Sequence, residues 1–480
     1  MYKRKTKIIA TLGPATDGPG VLRDLVKSGM NVARFNFSHG TREDVARRLG
    51  ELRAVCAELG ANIAALADTK GPEIRLGNFP EGTLVLRDGD EFRLTTQDRP
   101  CDSKCACVTY AGLPDDVSAG SRILIDDGLI ELAVKSAAGA EIITEVVHGG
   151  PVSSHKSINV PGVRLNLPYI SERDRLDLKF ISEMGFDYIA ASFTRSAADI
   201  RELRETLRSL NSQGILIIAK IENADGVANL EQIIGEADGL MVARGDLGVE
   251  LPFEDIPILQ KRMINMTRLR GKVVITATQM LESMVHNPRP TRAEVSDVAN
   301  AVFDGTSAIM LSGETANGKY PIEAIKAMAG VAKHTELSID YIKRFGEETY
   351  KQDLTVVNAI SHATVTTAHD LGAAAILTVT MSGATARNIA KFRPACPIVA
   401  CATDPAVVRQ LSLVWGVRPV LMTEQSETGA LFEQAALHGA RKAGLKDGDL
   451  VVMVAGVPLA TSGTTNMIKV HEIGENAKMF

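Results

Sequence analysis

Eight short apolar runs along the first two-thirds of the chain each end in polar or reactive side chains. The runs are KIIATLG at the amino terminus, NVARFNFS (31–38), NIAALADT (62–69), DYIAASF (187–193), LIIAKIE (216–222), LMVARGD (240–246), VVITATQ (273–279) and AIMLSGE (308–314). Amphipathic stretches of helical period separate them, except across one long gap after the third run, and this alternation favours a parallel sheet buried on both faces. Eight such units can close into a (β/α)8 TIM barrel, whose active site lies at the carboxyl ends of the strands.

The gap after the third run has a different character. Segments such as GTLVLRDGDEFRLTT and SRILIDDGLIELAV alternate between apolar and polar residues and are set off by Gly and Asp turns. This pattern predicts a small all-β domain, which we expect to be a β-barrel inserted into the larger barrel. An insertion after a barrel strand stands over the catalytic mouth, where a movable lid would lie.

Beyond about residue 340 the pattern changes again. Five strand-like runs are separated by helical stretches, including 355–371, 384–392 and 428–444, which predicts an open α/β domain. The predicted domains are a catalytic barrel over 1–70 and 168–340, a lid domain over 71–167, and a C-terminal regulatory domain over 341–480.

Composition and charge exclude several classes of protein. The net charge of −5 and the lack of any basic block argue against a nucleic-acid binder. No apolar run approaches the roughly 20 residues of a membrane span, so we expect a cytoplasmic protein with no membrane partner. Six cysteines in 480 residues do not form a disulfide framework, and we expect the cluster Cys101, Cys105 and Cys107 to be incidental rather than metal-binding.

The fifth and sixth runs carry a lysine and two acids. Lys220 and Glu222 are two residues apart and share one face of a strand, and Asp246 ends the neighbouring strand. Two carboxylates with room for water suit Mg²⁺ or Mn²⁺, and a lysine beside such a metal makes sense if an anion lies between them. A Lys–Glu ion pair that closes the rim of the barrel is an equally good interpretation of this spacing.

The second and third runs favour the functional interpretation. Arg34, Asn36 and Ser38 alternate along one strand, so one face directs three polar groups into the mouth, and the next run adds Asp68 and Thr69. A buried arginine is costly without an anion. The Asn, Ser, Asp and Thr oxygens together resemble a site for a weakly hydrated monovalent cation.

The remaining strand ends complete a polar rim. Arg75 lies at the hinge into the inserted domain, and 244–248 (RGDLG) is typical of a turn into a helix, whose backbone N–H groups bind carboxylate or phosphate. Thr278 closes the seventh strand, and Ser312 with Glu314 closes the eighth. The pattern predicts a pocket for a small, multiply charged anion together with Mg²⁺.

Longer motifs around these residues resemble those of pyruvate kinases of the bacterial type. They are MNVARFNFSHG, ALADTKGPEIRLG, IIAKIENADG, MVARGDLGVE, ATQMLESM with PRPTRAEVSDVANAVFDG, and IMLSGETANGKYP. The resemblance covers essentially the whole chain, with the motifs in the family's order. It implies transfer of the phosphoryl group of phosphoenolpyruvate to ADP, giving pyruvate and ATP in the last step of glycolysis.

The resemblance also implies roles for single residues. Lys220 would neutralise charge on the phosphoryl group in flight and on the enolate, and Arg34 would contact the same phosphoryl group. Glu222 and Asp246 would hold the divalent metal, and the carboxylate of phosphoenolpyruvate would meet Gly245, Asp246 and Thr278. The K⁺ ligands would be Asn36, Ser38, Asp68 and Thr69, and glutamate at position 73 favours K⁺ dependence. Thr278, through Ser312 and water, is the candidate proton donor to the enolate.

The family's partners give further expectations. Nucleotide phosphates would meet Arg75 and Lys156, and the resemblance implies a homotetramer. A sugar-phosphate effector would bind the C-terminal domain at two loops rich in small residues, namely Thr380, Ser382, Gly383 and Thr385 in one and Ser462 and Gly463 in the other. An ordinary capped helix and a tight turn would explain the same loops.

Two other functions fit parts of the sequence. A Mg²⁺-dependent lyase or aldolase acting on a 2-oxo acid would also use a metal, carboxylates and an arginine, but it needs neither the inserted domain nor a nucleotide. A catalytically inactive sugar-phosphate sensor would use only the C-terminal domain, and the intact set of Lys220, Glu222, Asp246 and Thr278 argues against it.

Overall fold

The structure, a computed structural model, describes residues 4–38, 40–347, 355–423, 428–456 and 465–474. Its largest part is a closed barrel of eight parallel strands, in which the first strand pairs with both the second and the last. The strands are Lys7–Thr11, Val32–Asn36, Ala64–Asp68, Tyr188–Ala191, Leu216–Ile221, Gly239–Ala243, Val273–Ala277 and Ala308–Leu311. The predicted TIM barrel is therefore confirmed, and each strand overlaps one of the eight apolar runs.

Helices surround the barrel and bury their apolar faces against it. The principal helices are Val21–Ser28, Arg42–Leu59, Glu172–Met184, Ala197–Ser209, Leu230–Glu236, Ile256–Leu269, Arg292–Asp304 and Pro321–Leu337, and shorter ones are Ala224–Ala228, Arg244–Glu250, Gly313–Ala316 and Tyr341–Glu347. Two of the helix starts carry capping boxes, at Ser171 with Asp174 and at Thr291 with Glu294.

The inserted segment forms a sheet of seven strands and a separate pair of strands. The sheet contains Ile74–Arg75, Ser157–Asn159, Arg122–Ile125, Ile130–Ala138, Glu141–His148, Glu91–Thr95 and Cys105–Cys107 in that spatial order, and Gly150–Val152 pairs with Leu84–Leu86. A bridge between Leu76 and Val108 joins the two edges of the sheet, so that it curls into a small barrel with its own apolar core. A single-turn helix spans Leu113–Asp116.

The cysteine cluster lies in this inserted domain. Cys101 and Cys107 are buried with their sulfur atoms 3.7 Å apart, and a Cβ on Gly77 would lie 2.0 Å from the Cys107 sulfur. Glycine is therefore needed at position 77 for this close packing. Among the described residues, no group of three or more His, Cys, Asp or Glu side chains is arranged to hold a metal ion.

The C-terminal domain is an open α/β sheet, as predicted. Its strands in spatial order are Val417–Leu421, Ile398–Ala402, Ala375–Val379, Leu450–Gly456 and Thr465–Glu472, and the last is antiparallel to its neighbour. The helices are Val356–Asp370, Ala384–Ala390, Pro405–Gln410, Thr428–Gln434 and Ala440–Lys442, with the π-helical turn Ala435–Gly439 between the last two.

This domain packs against the amino-terminal end of the barrel, which we call the floor. Lys7 and Tyr188 each begin a barrel strand, and their side chains donate to the backbone carbonyls of Val417 and Gln410 at 2.6 Å. One cluster of buried apolar side chains runs from the barrel interior into the C-terminal domain. The C-terminal domain thus covers the floor, and the opposite, carboxyl end of the barrel is the mouth. Within the described residues, no helix is long and apolar enough to cross a membrane.

Candidate active site

Lys220 occupies the centre of the barrel mouth. Its ammonium nitrogen lies 2.8 Å from Glu222 Oε1 and 3.1 Å from Asp68 Oδ1, so it joins the ends of the third and fifth strands. Burial alone would lower the pKa of Lys220, but the negative charges of Asp68, Glu222 and Asp246 outweigh it and raise the pKa. The lysine therefore keeps a full positive charge at neutral pH.

A second cation lies on the other side of Asp68. Arg34 Nε donates to Asp68 Oδ2 at 2.6 Å, and its Nη1 donates to Thr11 Oγ1 at 2.9 Å. Burial would raise the pKa of Asp68, which is 1% exposed, but Lys220 and Arg34 lower it below its usual value. One buried carboxylate thus holds two cationic groups side by side at the mouth.

Two carboxylates face each other next to Lys220. Glu222 is buried directly after the fifth strand, and Asp246 lies in the short helix that follows the sixth. Burial raises the pKa of both groups; Lys220 opposes this, while the charge of Asp246 adds to the rise at Glu222 and that of Asp127 to the rise at Asp246. Carboxylates that repel each other in this way are stabilised by a bound cation, and their oxygens are ligands suited to Mg²⁺ or Mn²⁺.

The strand ends beside this pair supply neutral hydrogen-bonding groups. Gly245 N donates to Thr278 Oγ1 at 2.8 Å, which joins the short helix to the end of the seventh strand. Thr278 has φ of +68°, an uncommon backbone conformation for a non-glycine residue. The buried Ser312 Oγ has no hydrogen-bond partner among the described residues.

The proposed monovalent-cation ligands cluster where the second and third strands end. Asn36 and Asp68 are register partners on these strands. Asn36 Oδ1 accepts from Ser38 N at 3.0 Å, and Thr69 Oγ1 lies 3.2 Å from the Ala190 carbonyl. The four oxygen-bearing side chains therefore come from one corner of the mouth.

A cleft of about 450 Å³ separates the mouth from the inserted domain. Arg75 and Lys156 line it from the inserted domain, and Asp246 lines it from the barrel. Arg75 Nε donates to Glu73 Oε2 at 2.8 Å, and Lys156 Nζ lies 2.8 Å from Asp126 Oδ2. Both predicted nucleotide contacts therefore face the same space as Asp246, one of the two predicted ligands of the divalent metal.

The predicted effector loop lies far along the chain from this cleft, in the C-terminal domain. Thr380 Oγ1 accepts from Gly383 N at 3.0 Å, and Gly383 has φ of +77° at the start of the helix Ala384–Ala390. Thr385 Oγ1 lies 2.9 Å from Thr465 Oγ1. Ser462 and Gly463, the other predicted effector contacts, lie outside the described residues.

Several residues of the site were not predicted from the sequence. Ser192 Oγ lies 2.7 Å from Lys220 Nζ, and Asp126, Asp127 and Arg195 line the cleft. Ser192 directly follows the strand Tyr188–Ala191, so the same polar strand-end signal that indicated the other residues was present there. Asp126 and Asp127 could not be found in this way, because their position depends on how the inserted domain folds over the barrel.

Comparison with known proteins agrees with this geometry. Residues 3–325 match the family model "Pyruvate kinase, barrel domain", and residues 358–471 match "Pyruvate kinase, alpha/beta domain". The chain is 48% identical over 476 residues to pyruvate kinase of Geobacillus stearothermophilus and 45% identical over 474 residues to that of Staphylococcus saprophyticus, covering 98% of this chain and 81% of each relative. The crystal structure of a pyruvate kinase from Cryptosporidium parvum superposes with a TM-score of 0.91 at 38% identity, covering 98% of this chain and 96% of that one.

The fold and the site define a phosphotransferase built on a (β/α)8 barrel, with a C-terminal α/β domain. Its mouth places two cationic side chains beside a pair of carboxylates, an arrangement suited to an anionic substrate with its metal ion. The chain belongs to the pyruvate kinase family.

Proposed function

We propose that the protein transfers the phosphoryl group of phosphoenolpyruvate to ADP, giving pyruvate and ATP, with Mg²⁺ or Mn²⁺ and with K⁺. The observation that carries this proposal is the position of the Lys220 ammonium between the carboxylates of Asp68 and Glu222, with Arg34 alongside. Phosphoryl transfer needs positioned positive charge more than covalent help from the protein.

Two cationic side chains, Lys220 and Arg34, would contact the transferred phosphoryl group. Lys220 and Arg34 are held on opposite oxygens of one buried carboxylate, so neither has to reorganise to meet a phosphoryl group that lies over both. Preorganised positive charge stabilises the transition state more than the ground state, because negative charge is redistributed as the group transfers. Lys220 also stabilises the enolate that remains after transfer.

The donor set fits a divalent ion. Glu222 and Asp246 would hold it, since both are largely buried carboxylates that repel each other. When bound, such an ion would supply Lewis-acid charge to the phosphoryl oxygens. The adjoining backbone N–H groups of Gly245 and Asp246 and the hydroxyl of Thr278 would orient the substrate carboxylate.

A monovalent ion fits the corner formed by the second and third strands. Asn36, Ser38, Asp68 and Thr69 would hold K⁺, and Asp68 is shared with Lys220 and Arg34. The ion would therefore add a charge close to both catalytic cations. Glu73, which accepts from Arg75 in the hinge, supports K⁺ dependence because relatives that dispense with K⁺ tend to carry lysine there.

The nucleotide would bind in the cleft between the two domains. Arg75 and Lys156 face this cleft, and both are now paired with acidic side chains. Phosphate oxygens of ADP would replace those carboxylates as partners. Thr278 is the candidate donor of the proton to the enolate, acting through Ser312 and water.

One experiment tests the reaction. Purified protein is assayed for pyruvate formation from phosphoenolpyruvate, with and without ADP, Mg²⁺ and K⁺. We expect pyruvate only when ADP and Mg²⁺ are both present, and a large stimulation by K⁺ over tetramethylammonium. Pyruvate release from a 2-oxo acid adduct without nucleotide would instead favour a lyase.

We further propose activation by a sugar phosphate at the loop containing Thr380, Ser382, Gly383 and Thr385, with Ser462 and Gly463 as further contacts. The turn that precedes the helix Ala384–Ala390 offers backbone N–H groups and hydroxyls to a phosphate. With a panel of sugar phosphates, Ser382→Asp should abolish activation by charge repulsion and leave basal activity unchanged. The uncharged variant of the same size, Ser382→Asn, should retain activation, and equal behaviour of the two variants would contradict this site.

A homotetramer is the proposed assembly. The resemblance to the pyruvate kinase family implies this assembly. Light scattering should give the mass of four chains, and a monomer at micromolar concentration would contradict the proposal.

A further inference from the structure

The ammonium of Lys220 has a third partner besides its two carboxylates. Ser192 Oγ lies 2.7 Å from Lys220 Nζ, closer than Glu222 Oε1 at 2.8 Å or Asp68 Oδ1 at 3.1 Å. A lysine ammonium has three N–H donors and no acceptor. Two of these donors are hydrogen-bonded to Asp68 and Ser192, while Glu222 forms an ion pair, and of these three partners only the serine hydroxyl is neutral.

Ser192 is itself fixed by the residues that surround the lysine. It is 2% exposed, and its Oγ lies 2.7 Å from the Thr69 carbonyl oxygen and 3.1 Å from Asp68 Oδ1, to one of which it donates its single proton. Its backbone N–H donates to Thr69 Oγ1 at 3.3 Å. The hydroxyl is thus orientated by the third strand before it meets the lysine on the fifth.

The next residue continues the same turn toward the metal-ligand pair. Phe193 has φ of +52°, and its backbone N–H donates to Glu222 Oε2 at 2.5 Å. A Cβ on Gly71 would lie 3.0 Å from the Ser192 Cβ, so the turn is packed closely against the backbone at Gly71. The turn 192–193 therefore contacts both sides of the lysine.

We propose that Ser192 is a positioning residue for Lys220, an inference that rests on the proposed function. Carboxylates alone would attract the ammonium toward their common centre. A hydroxyl fixes one N–H direction without adding a further negative charge that would compete with the substrate for the ammonium. Ser192 and Asp68 hold two of the N–H groups, and the third is the one that a phosphoryl oxygen takes.

The same hydroxyl links the lysine to the proposed monovalent-cation site. Ser192 contacts both Asp68 and Thr69, two of the four proposed K⁺ ligands. Removing the hydroxyl should therefore disturb the K⁺ requirement as well as the lysine. A residue that only stabilised the fold would affect neither.

The test compares Ser192→Ala with Thr194→Val, which removes a buried hydroxyl from the same turn. Thr194 is fully buried, and its Oγ1 donates to the Ala191 carbonyl at 2.9 Å without contacting Lys220 or Asp68. Steady-state assays give kcat, the KM for phosphoenolpyruvate and the half-saturating K⁺ concentration. Calorimetry gives the Kd of phosphoenolpyruvate for the Mg²⁺-loaded protein without ADP, and thermal unfolding gives Tm.

We expect Ser192→Ala to lower kcat by about 10-fold to 100-fold while KM and Kd change by less than about threefold, because the lost contact acts mainly in the transition state. The half-saturating K⁺ concentration should rise several-fold. Thr194→Val should lower Tm about as much as Ser192→Ala does, but it should leave kcat unchanged. Wild-type kcat and K⁺ requirement in Ser192→Ala, or equal losses of kcat in both variants, would overturn the proposal. If the wild-type protein forms no pyruvate in an ADP-dependent manner, the proposed function fails instead.

Discussion

The barrel buries lysines at both of its ends, in opposite surroundings. At the mouth, Lys220 is surrounded by carboxylates, which raise its pKa against the effect of burial. At the floor, the amine of Lys7 donates to the Val417 carbonyl, and burial lowers its pKa to about 7, although Glu336 opposes the change. Lys5, beside it, donates to the carbonyls of Pro394 and Ala395, and burial lowers its pKa to about 8.

The comparison shows that the partners of a buried lysine, rather than its burial, decide what it can do. Carboxylates keep Lys220 charged and hold it where an anion would bind. Backbone carbonyls accept hydrogen bonds from Lys7 equally well but supply no full negative charge. Lys220 at the mouth can therefore stabilise an anionic substrate, whereas Lys7 at the floor joins the barrel to the C-terminal domain.

The largest expected difference between the two ends is in turnover. Lys220→Met should lower kcat by about 10²–10³-fold, because one transition-state charge contact is lost, while circular dichroism shows an intact fold. Lys7→Met, the matched change at the floor, should alter kcat by less than about twofold. Near-normal turnover in Lys220→Met would remove this lysine from its proposed role.

A second difference should be seen in the metal requirement. Glu222→Gln or Asp246→Asn should raise the half-saturating Mg²⁺ concentration by at least about tenfold. Removing a group that only hydrogen-bonds to a metal ligand already lowers metal affinity or activity by about 10–100-fold, and loss of a ligand itself should cost at least as much. Glu336→Gln is the control, since this buried floor glutamate accepts from the backbone of Lys5 and Thr6 and contacts no proposed ligand. A metal titration that is unchanged in the mouth variants would exclude them as ligands.

The smallest expected effect concerns stability at the floor. The pKa of Lys7 is about 7 in the folded protein and 10.5 in the unfolded chain, so between these pH values the unfolded state binds more protons than the folded state. The contribution of Lys7 to the free energy of unfolding therefore increases as pH rises through this range. Lys7→Met removes this dependence. The Tm of Lys7→Met minus the Tm of the wild-type protein should therefore increase by at least about 2 °C as pH falls from 9 to 6. A Tm difference that stays constant over this range would show that the buried amine has an ordinary pKa.

The barrel strands were predictable because each carries an apolar run with polar residues at its carboxyl end. Lys220, Glu222 and Asp246 could be grouped because the spacing along one strand and the order of strands in a barrel determine their neighbourhood. Asp68 was identified as a cation ligand, but its bonds to both Arg34 and Lys220 required the register of three strands.

The remaining features depend on tertiary contacts that local pattern does not encode. Asp126 and Asp127 belong to a turn of the inserted domain, and only the folding of that domain over the barrel places them in the cleft. The predicted helix 428–444 contains the π-helical turn Ala435–Gly439. A Cβ on Gly439 would lie 2.6 Å from the Cys401 sulfur, a close approach between helix and sheet that periodicity along the chain cannot reveal.

The chain's single tryptophan lies at the floor, where Trp415 is 2% exposed. Lys5 lies 5.2 Å from its ring centroid and Arg393 lies 4.6 Å away, so one residue from the barrel and one from the C-terminal domain contact the same indole. Indole emission is sensitive to nearby charge and to hydration. The unmodified protein therefore contains one intrinsic fluorophore at the domain junction, and its spectrum reports any rotation of the C-terminal domain against the barrel without an attached label.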